Sequence, residues 1–204
     1  MKIQNTCYIV GAGELYSLPS PKATDLVIAA DGGLDALIRG GITPKMVVGD
    51  LDSLSGKIPE GVEILRHPVE KDETDSHLAY LEGVRQGYTH FSLFGCAGGR
   101  DDHTFANYSL LLYAKKQGHD MTLVSKDYDI FVILNEEREL PSRVGATLSV
   151  FAISDNCRVT LFGTYYPAND LKITPDFPIG VSNRVTEPTV KIKADGAILV
   201  MIER

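Results

Sequence analysis

The sequence predicts an α/β fold in which an N-terminal doubly wound, mostly parallel sheet with helices on both faces precedes a small C-terminal antiparallel β-sandwich. Through the first two-thirds of the chain, short continuous apolar runs alternate with segments of helical periodicity, which is typical of parallel strands covered on both faces. From Ile130 onward, apolar runs follow one another without helical segments between them, which favours a sandwich. We therefore expect two domains, 1–128 and 129–204.

The first domain is expected to contain six strands and at least two helices. Two sets of residues at helical spacing each predict a helix between two strands: Leu78, Tyr80, Leu81 and Val84, and Phe105, Tyr108, Leu111 and Leu112. Ligands of doubly wound sheets lie outside the carboxyl ends of the strands, which makes those ends the expected site. The predicted strands are 7–10, 26–30, 46–48, 62–65, 91–94 and 121–124.

The second domain is expected to be all-β. Asp195-Gly196 lies between two apolar runs and predicts a hairpin turn. The proline-containing stretch 165–181 is longer than an ordinary connection, which indicates a functional loop. The predicted strands are 130–134, 147–151, 158–162 and 189–193.

Composition excludes several classes of protein. Twenty Lys and Arg against 27 Asp and Glu give a net charge of −7, which argues against nucleic-acid and anionic-membrane partners. The three cysteines have no CxxC spacing and are odd in number, which predicts buried free thiols in a reducing compartment. The first residues have no signal-peptide core, and no apolar run approaches the length of about 18 residues that spans a bilayer. We expect a cytoplasmic protein.

Two carboxylates, Asp50 and Asp52, follow the apolar run 46–48 directly. Residues i and i+2 of a strand face the same side, so the two side chains converge if the backbone stays extended through Leu51. Like charges about 4 Å apart repel by roughly 4 kcal/mol at an effective dielectric near 20, so a cation is expected between them. Mg²⁺ that also bridges substrate phosphates fits this need. The alternative is a turn capped by Asp and by Ser53.

The segment 71–75, Lys-Asp-Glu-Thr-Asp, precedes a predicted helix. Thr74 is expected to be its N-cap, and Asp75 falls in the first helical turn. One interpretation is that Asp75 only complements the helix dipole. The functional interpretation assigns Asp75 or Asp72 to the metal and Lys71 to a phosphate.

The segment 98–103, Gly-Gly-Arg-Asp-Asp-His, follows the fifth predicted strand. Its two glycines let the backbone approach a ligand closely, and Arg100 offers a planar fork for phosphate oxygens. Asp102 precedes a helix. A general-base role is one interpretation of His103, but helix capping or hydrogen bonding is favoured.

Two glycine turns at strand ends leave alternatives open. Gly11-Ala12-Gly13 begins like a dinucleotide fingerprint, but Tyr16 stands at the third glycine position, so the motif fails. A tight turn and a phosphate contact remain equal interpretations of it. Asp31-Gly32-Gly33 is balanced in the same way between a turn and a site residue.

Taken in order, these segments resemble the motif set of the thiamine pyrophosphokinase family. Each motif is weak alone, but five in the family's order and spacing make a specific signal that runs over most of the chain. The matching segments are 31–33, 49–53, 71–75, 98–103 with Asn107, and Ser182-Asn183.

The resemblance implies transfer of pyrophosphate from ATP to the hydroxyethyl oxygen of thiamine, with release of AMP. It also implies that 1–128 is a catalytic domain that binds nucleotide and metal, and that 129–204 binds thiamine and dimerises. The expected assembly is a homodimer with its sites at the interface, and the expected cofactor is Mg²⁺.

Site residues follow from the same resemblance. Asp50, Asp52 and Asp75 would bind the metal, and Ser182 and Asn183 would face thiamine. The ATP site would comprise Asp31, Lys71, Thr74, Arg100, Asp102 and His103, with Asp72 or Asp102 as candidate base.

Two features depart from the family pattern. Some members stack a tryptophan on thiamine; this chain has none, which leaves Tyr165, Tyr166 or no aromatic wall. Asp101 adds an acid beside Asp102 that the motif does not require.

Two alternatives to thiamine pyrophosphorylation stay open. One is pyrophosphate transfer to another hydroxymethyl heterocycle, such as a pterin. The other is a nucleotide- or thiamine-binding protein without turnover, whose ligands would raise thermal stability without producing AMP.

Overall fold

The structure, a computed structural model, describes residues 5–51, 56–67 and 72–204. The chain divides into two compact units, Met1–Lys126 and Asp127–Arg204. The first unit is built on parallel strands in the order β6-β5-β1-β2-β3-β4. The strands are β1 Cys7–Val10, β2 Leu26–Ala30, β3 Met46–Gly49, β4 Glu63–Arg66, β5 His90–Phe94 and β6 Asp120–Val124.

Helices cover both faces of this sheet. Helix α1, Gly33–Arg39, packs Leu34 and Leu37 into a buried cluster with Val10. Cys7 lies three residues before Val10 in β1 and therefore faces the opposite side. There, Gly83 of α2, Asp75–Arg85, leaves so little room that an added β-carbon would lie 2.9 Å from Cys7 Sγ.

Helix α3, Asp101–Lys116, adjoins α2. Tyr80 of α2 is 1% exposed, and its ring lies edge-on to the ring of Tyr113 in α3, with centroids 6.1 Å apart. The Tyr80 hydroxyl and His119 Nδ1 are 2.7 Å apart. This contact ties α2 to the turn that ends α3. Among the described residues, no helix is long and apolar enough to cross a membrane.

The second unit is a sandwich of two antiparallel sheets. One has the order β12-β9-β14-β7 and the other β11-β10-β13-β8. Their inner faces form one core that includes Ile133, Val150, Leu161 and Ile192. The strands are β7 Tyr128–Leu134, β8 Glu137–Pro141, β9 Thr147–Ala152, β10 Cys157–Phe162, β11 Ala168–Ile173, β12 Asn183–Arg184, β13 Thr189–Asp195 and β14 Ala197–Glu203.

The predicted fold class is confirmed, and the structure adds elements that the sequence did not suggest. Helix α1 begins at Gly33, within a segment that the sequence left open between a turn and a site residue. Strand β11 lies inside the stretch 165–181 that was expected to be a loop, where it pairs with β10. Strand β10 supplies its hydrogen bonds, and no local apolar pattern marks it, because most of its residues are exposed.

Candidate functional site

Three acidic segments of the first unit meet at the carboxyl end of β3. Asp31 follows β2, and its N–H donates to Val48 O at 2.8 Å. An ideal β-carbon added to Gly49 would lie 3.1 Å from Asp31 Cβ and 3.4 Å from Asp75 Cγ. Asp31 and Asp75 therefore flank one point beside Gly49, and Asp50 follows that glycine directly. We call Asp31, Asp50 and Asp75 the acidic rim.

The expected pairing of Asp50 with Asp52 required an extended backbone at Leu51. That requirement is not met, because Leu51 has a φ of 66°, in the left-handed region. The strand-based reason for their convergence is therefore wrong. Asp52 itself lies outside the described residues, as does Lys71.

Carboxylates of the acidic rim suit a hard divalent cation. Mg²⁺ commonly binds through one or two carboxylates and keeps several waters. The described part of the chain has no cluster of three or more His, Cys, Asp or Glu side chains able to hold a metal ion. The approach of Asp31 and Asp75 to one point nonetheless supplies the one or two carboxylates that Mg²⁺ requires.

The start of α2 presents one member of the rim to the site. Thr74 Oγ1 accepts a hydrogen bond from the His77 N–H at 3.3 Å, which confirms Thr74 as the N-cap. Asp75 is the first residue of the helix and is partly buried, whereas Asp72 is exposed outside it. The cap therefore fixes the backbone from which Asp75 projects.

Glycines at the ends of β1 and β5 bring two loops into backbone contact. The N–H groups of Gly11 and Gly13 donate to Phe94 O and Gly95 O, both at 2.8 Å. A β-carbon on either glycine would lie 2.7 Å from Gly95 O. Close packing therefore explains both glycines. Because both N–H groups are used, the structure favours the turn over a phosphate contact through these donors.

A cavity of about 500 Å³ opens beside these loops. Asp31 lines it and so joins it to the acidic rim, while Arg100 and His103 line another part of its wall. Such a volume falls within the range of small-molecule sites. The remaining lining residues are Gly11, Ala12, Gly13, Ser76, Gly95, Cys96, Gly98, Gly99, Thr104 and Asn107.

Sequence reasoning assigned no role to several of these lining residues. Ser76 and Thr104 lie in the first turns of α2 and α3, where nothing local distinguishes them from ordinary helix residues. Asn107 is buried, and its Nδ2 donates to Cys96 O at 2.8 Å, so it supports the cavity wall. Burial raises the pKa of Cys96 to about 11, which keeps the thiol protonated and unreactive.

Arg100 and Asp102 form an ion pair at the start of α3. Arg100 Nε donates to Asp102 Oδ1 at 3.1 Å, and Nη2 donates to Oδ2 at 2.6 Å. The His103 N–H donates to Asp102 Oδ1 at 2.9 Å. The hydrogen bonds from Arg100, followed by that from His103, lower the pKa of Asp102 from 3.8 to about 2. Of the two adjacent acids, Asp102 is the one that holds Arg100.

The predicted thiamine residues of the second unit differ in accessibility. Ser182 is exposed in the left-handed region, with a φ of 58°, and its N–H donates to Ser149 Oγ at 3.0 Å. Asn183 is only 8% exposed. Its Oδ1 accepts the N–H groups of Tyr166 and Arg184, at 3.0 and 2.8 Å, and its Nδ2 donates to Tyr166 O at 2.8 Å. The side-chain amide of Asn183 is therefore engaged with the backbone of Tyr166 and Arg184.

An apolar cavity of about 330 Å³ lies beside Asn183. Tyr166 also lines it, and its ring lies edge-on to that of Tyr165, with centroids 4.9 Å apart. Both tyrosines are about two-thirds exposed, at 68% and 66%. The other lining residues are Val150, Val159, Leu161, Pro167, Ala168, Leu171, Ile173, Ile179, Gly180 and Val181.

Two family models match this chain, one within each unit. The thiamin pyrophosphokinase catalytic-domain model matches residues 20–123, and the thiamin pyrophosphokinase vitamin B1 binding-domain model matches residues 132–199. A thiamine pyrophosphokinase of Bacillus subtilis strain 168 is 28% identical over 184 residues, 87% of this chain and 86% of that protein.

Solved structures give the same result. A thiamine pyrophosphokinase structure from Bacillus subtilis is 27% identical, covers 98% of both chains and superposes with a TM-score of 0.88. One from Geobacillus thermodenitrificans is 26% identical, covers 97% of this chain and 96% of its own, and has a TM-score of 0.82. With one family model spanning half of its length and a second spanning most of the remainder, this chain belongs to the thiamin pyrophosphokinase family.

Proposed function

We propose that this protein transfers pyrophosphate from ATP to the hydroxyl of thiamine, giving thiamine diphosphate and AMP. The observation that carries the proposal is the meeting of Asp31 and Asp75 at Gly49, beside a glycine-lined cavity that Arg100 also lines. Carboxylates for a cation next to a guanidinium for phosphate are what such a transfer needs. Membership of the thiamin pyrophosphokinase family favours thiamine over a pterin as acceptor, and turnover over binding alone.

In the proposed reaction, the primary alcohol of thiamine attacks the β-phosphorus of ATP, and the bond between that phosphorus and the oxygen bridging it to the α-phosphate breaks as AMP leaves. Mg²⁺ bound by Asp50, Asp52 and Asp75, with Asp31 flanking the same point beside Gly49 as Asp75, would supply Lewis-acid neutralisation of the phosphate oxygens. Arg100 and Lys71 bind phosphate oxygens and neutralise charge that develops on them. Phosphoryl transfer depends mainly on such positioning and charge stabilisation.

The proton of the attacking hydroxyl needs an acceptor, and Asp72 is the better of the two candidates. Both oxygens of Asp102 accept hydrogen bonds from Arg100, and its pKa of about 2 makes it a weak base. Asp72 is exposed next to the N-cap of α2. We assign Asp31, Thr74 and His103 to the nucleotide site, since Asp31 and His103 line the cavity and Thr74 orients Asp75.

The second unit is proposed to bind thiamine through Ser182 and Asn183 and to form a homodimer. Exposed aromatic side chains of this unit, namely Tyr165, Tyr166 and Phe177, support a contact of this kind, because exposed apolar groups are buried favourably when partners associate. A cytoplasmic location is supported by three free buried cysteines.

A product assay tests the proposal. Purified protein is incubated with ATP, Mg²⁺ and thiamine, or with a hydroxymethyl pterin, and AMP and the pyrophosphorylated product are quantified. We expect AMP and thiamine diphosphate in equal amounts with thiamine only. AMP formation with the pterin alone would contradict the acceptor, and thermal stabilisation by both ligands without AMP would indicate a binding protein.

The same assay applied to Asp52→Asn tests the metal assignment. Turnover should fall by roughly 100-fold or more, because a metal ligand acts on the transition state, while the melting temperature stays near that of the wild type or rises. Near-normal turnover at saturating Mg²⁺ would remove Asp52 from the metal site.

A further inference from the structure

The Arg100–Asp102 pair uses one particular edge of the guanidinium. Asp102 accepts from Nε and Nη2, which form the side-on edge. A guanidinium has five N–H donors in a planar fork, so this pairing leaves the end-on pair, on Nη1 and Nη2, for a second oxyanion. Of the two residues, it is Arg100 that lines the 500 Å³ cavity.

Asp102 is itself fixed. Its Oδ1 accepts the backbone N–H of His103 at 2.9 Å, in the first turn of α3, where the helix dipole also favours a carboxylate. The carboxylate is thereby oriented by the helix and in turn orients the guanidinium. This matters because the Arg100 side chain is 72% exposed, and a long exposed side chain otherwise samples many rotamers.

We propose that Asp102 is a positioning residue that acts through Arg100. It holds the side-on edge of the guanidinium against α3 and so presents the end-on edge to a phosphate of the nucleotide. This inference rests on the proposed function, in which the cavity receives ATP. Asp102 then touches neither metal nor substrate, and its effect on the reaction depends entirely on the presence of Arg100.

A double-mutant cycle on ATP binding tests this role. The variants are Asp102→Asn, Arg100→Gln and the double mutant, with ATP affinity measured by calorimetry in Mg²⁺. Asp102→Asn preserves size and the acceptor for the His103 N–H but turns an NH₂ group toward Arg100. We expect it to weaken ATP binding about tenfold in the wild-type background and less than twofold in the Arg100→Gln background.

Asp101→Asn is the matched control. It removes the same charge one residue earlier in α3, and we expect ATP affinity to change less than twofold. The Arg100 Nε–H resonance in NMR supplies a direct readout, since it should be distinct and slowly exchanging in the wild type and lost in Asp102→Asn. The KM for thiamine should stay unchanged in all variants, and the melting temperatures will confirm that each one folds.

Three results would overturn the inference. Equal weakening by Asp102→Asn in both backgrounds would mean that Asp102 acts directly on the ligand. Tighter ATP binding by Asp102→Asn would mean that the carboxylate competes with phosphate for Arg100. A wild-type protein without ATP affinity would leave Arg100 no phosphate to receive. A wild type that binds ATP but makes no thiamine diphosphate would instead contradict the proposed function, and the double-mutant cycle on ATP binding would still test the role of Asp102.

Discussion

The cavities of the two units differ in the polarity of the residues that line them. In the first unit, backbone glycines and charged side chains surround a 500 Å³ cavity, with Asp31 and Arg100 in its wall. In the second unit, a 330 Å³ cavity is lined mostly by aliphatic residues, and the side-chain amide of Asn183 is hydrogen-bonded to the backbone. The first arrangement suits phosphates and a cation, whereas the second suits an uncharged or aromatic group.

This contrast teaches that one chain forms two kinds of cavity with two kinds of fold. A parallel sheet gathers strand ends at one edge, so acids from separate segments converge there. A sandwich buries its inner faces, so an opening between its strands exposes apolar surface. If the contrast has the functional meaning proposed here, changes in one unit will affect one substrate and spare the other.

The largest effect is expected from Asp75→Asn in the acidic rim. Turnover should fall at least 100-fold, because the loss of a carboxylate acts on transition-state charge, while the Thr74 cap preserves the helix. Glu73→Gln, which removes a neighbouring charge, is the control and should retain turnover within about threefold. Steady-state AMP release measures both. If Asp75→Asn instead raised the KM for thiamine and left kcat unchanged, the assignment of phosphate chemistry to the first unit and thiamine binding to the second would be contradicted.

Glycine substitutions compare how tightly each unit is packed. A β-carbon on Gly33 would lie 1.9 Å from Val10 O, and one on Gly180 would lie 2.1 Å from Val150 O. Alanine at either position should cost about 3 kcal/mol of unfolding free energy through overpacking. Gly56→Ala, for which the nearest atom among the described residues is Asp35 Oδ1 at 3.1 Å, should cost under about 1 kcal/mol.

Chemical denaturation monitored by circular dichroism measures these costs. Gly33 and Gly180 each lie against a strand of their own unit. Gly33→Ala should therefore disturb ATP binding, and Gly180→Ala should disturb thiamine binding. Equal stability of Gly33→Ala and Gly56→Ala would contradict the close approach of α1 to β1.

Asn183→Ala should have an intermediate effect confined to the second unit. It leaves the N–H groups of Tyr166 and Arg184 without their side-chain acceptor and removes one of the two side-chain donors to the Tyr166 C=O, which costs about 2 kcal/mol. The KM for thiamine should rise while ATP affinity stays constant. Thr164→Val, which removes a 3.2 Å hydrogen bond to the same Tyr166 carbonyl without changing shape, is the control and should cost under about 1 kcal/mol. An unchanged KM for thiamine in Asn183→Ala would show that the Asn183 side chain does not contribute to thiamine binding.

The smallest effect concerns pH. The pKa of Asp102 is lowered from 3.8 to about 2, chiefly by hydrogen bonds from Arg100. The contribution of this pair to stability is therefore complete above pH 3.8 and is lost as the pH falls towards 2. A carboxyl titration by NMR should locate the low pKa, and Arg100→Gln should return it towards 3.8. An unchanged pKa in that variant would contradict the pairing.

Periodicity predicted the existence of α2 and α3 but only part of their buried faces. Tyr80 and Leu111, which belong to the predicted pattern, are each 1% exposed. Leu81 and Phe105 supported the helical pattern, yet they are 38% and 72% exposed. The buried positions include Ala79 and Gly83 in α2 and Asn107 in α3. Small residues allow a helix to pack closely against the sheet, but a search for large apolar side chains at helical spacing does not detect them.

The candidate site was predictable where its chemistry is local. Acids after a strand, a threonine before a helix and an arginine beside two glycines are visible in order along the chain. Two features were not predictable. The left-handed backbone at Leu51 depends on a local conformation that the residue type does not favour. The hydrogen bonds donated by the Gly11 and Gly13 N–H groups depend on a strand that is distant in sequence. The Asn183–Tyr166 contact spans 17 residues and was missed for the same reason.

The sequence by itself determined the alternation of strands and helices, the change to a sandwich and the placing of acids at strand ends, because side-chain period and turn chemistry act between near neighbours. Only the tertiary structure decided that Asp31 meets Asp75 beside Gly49, that Asp102 holds Arg100 by one edge, and that Asn183 faces backbone. Those contacts depend on strand order, register and rotamer, which are fixed when distant segments pack together.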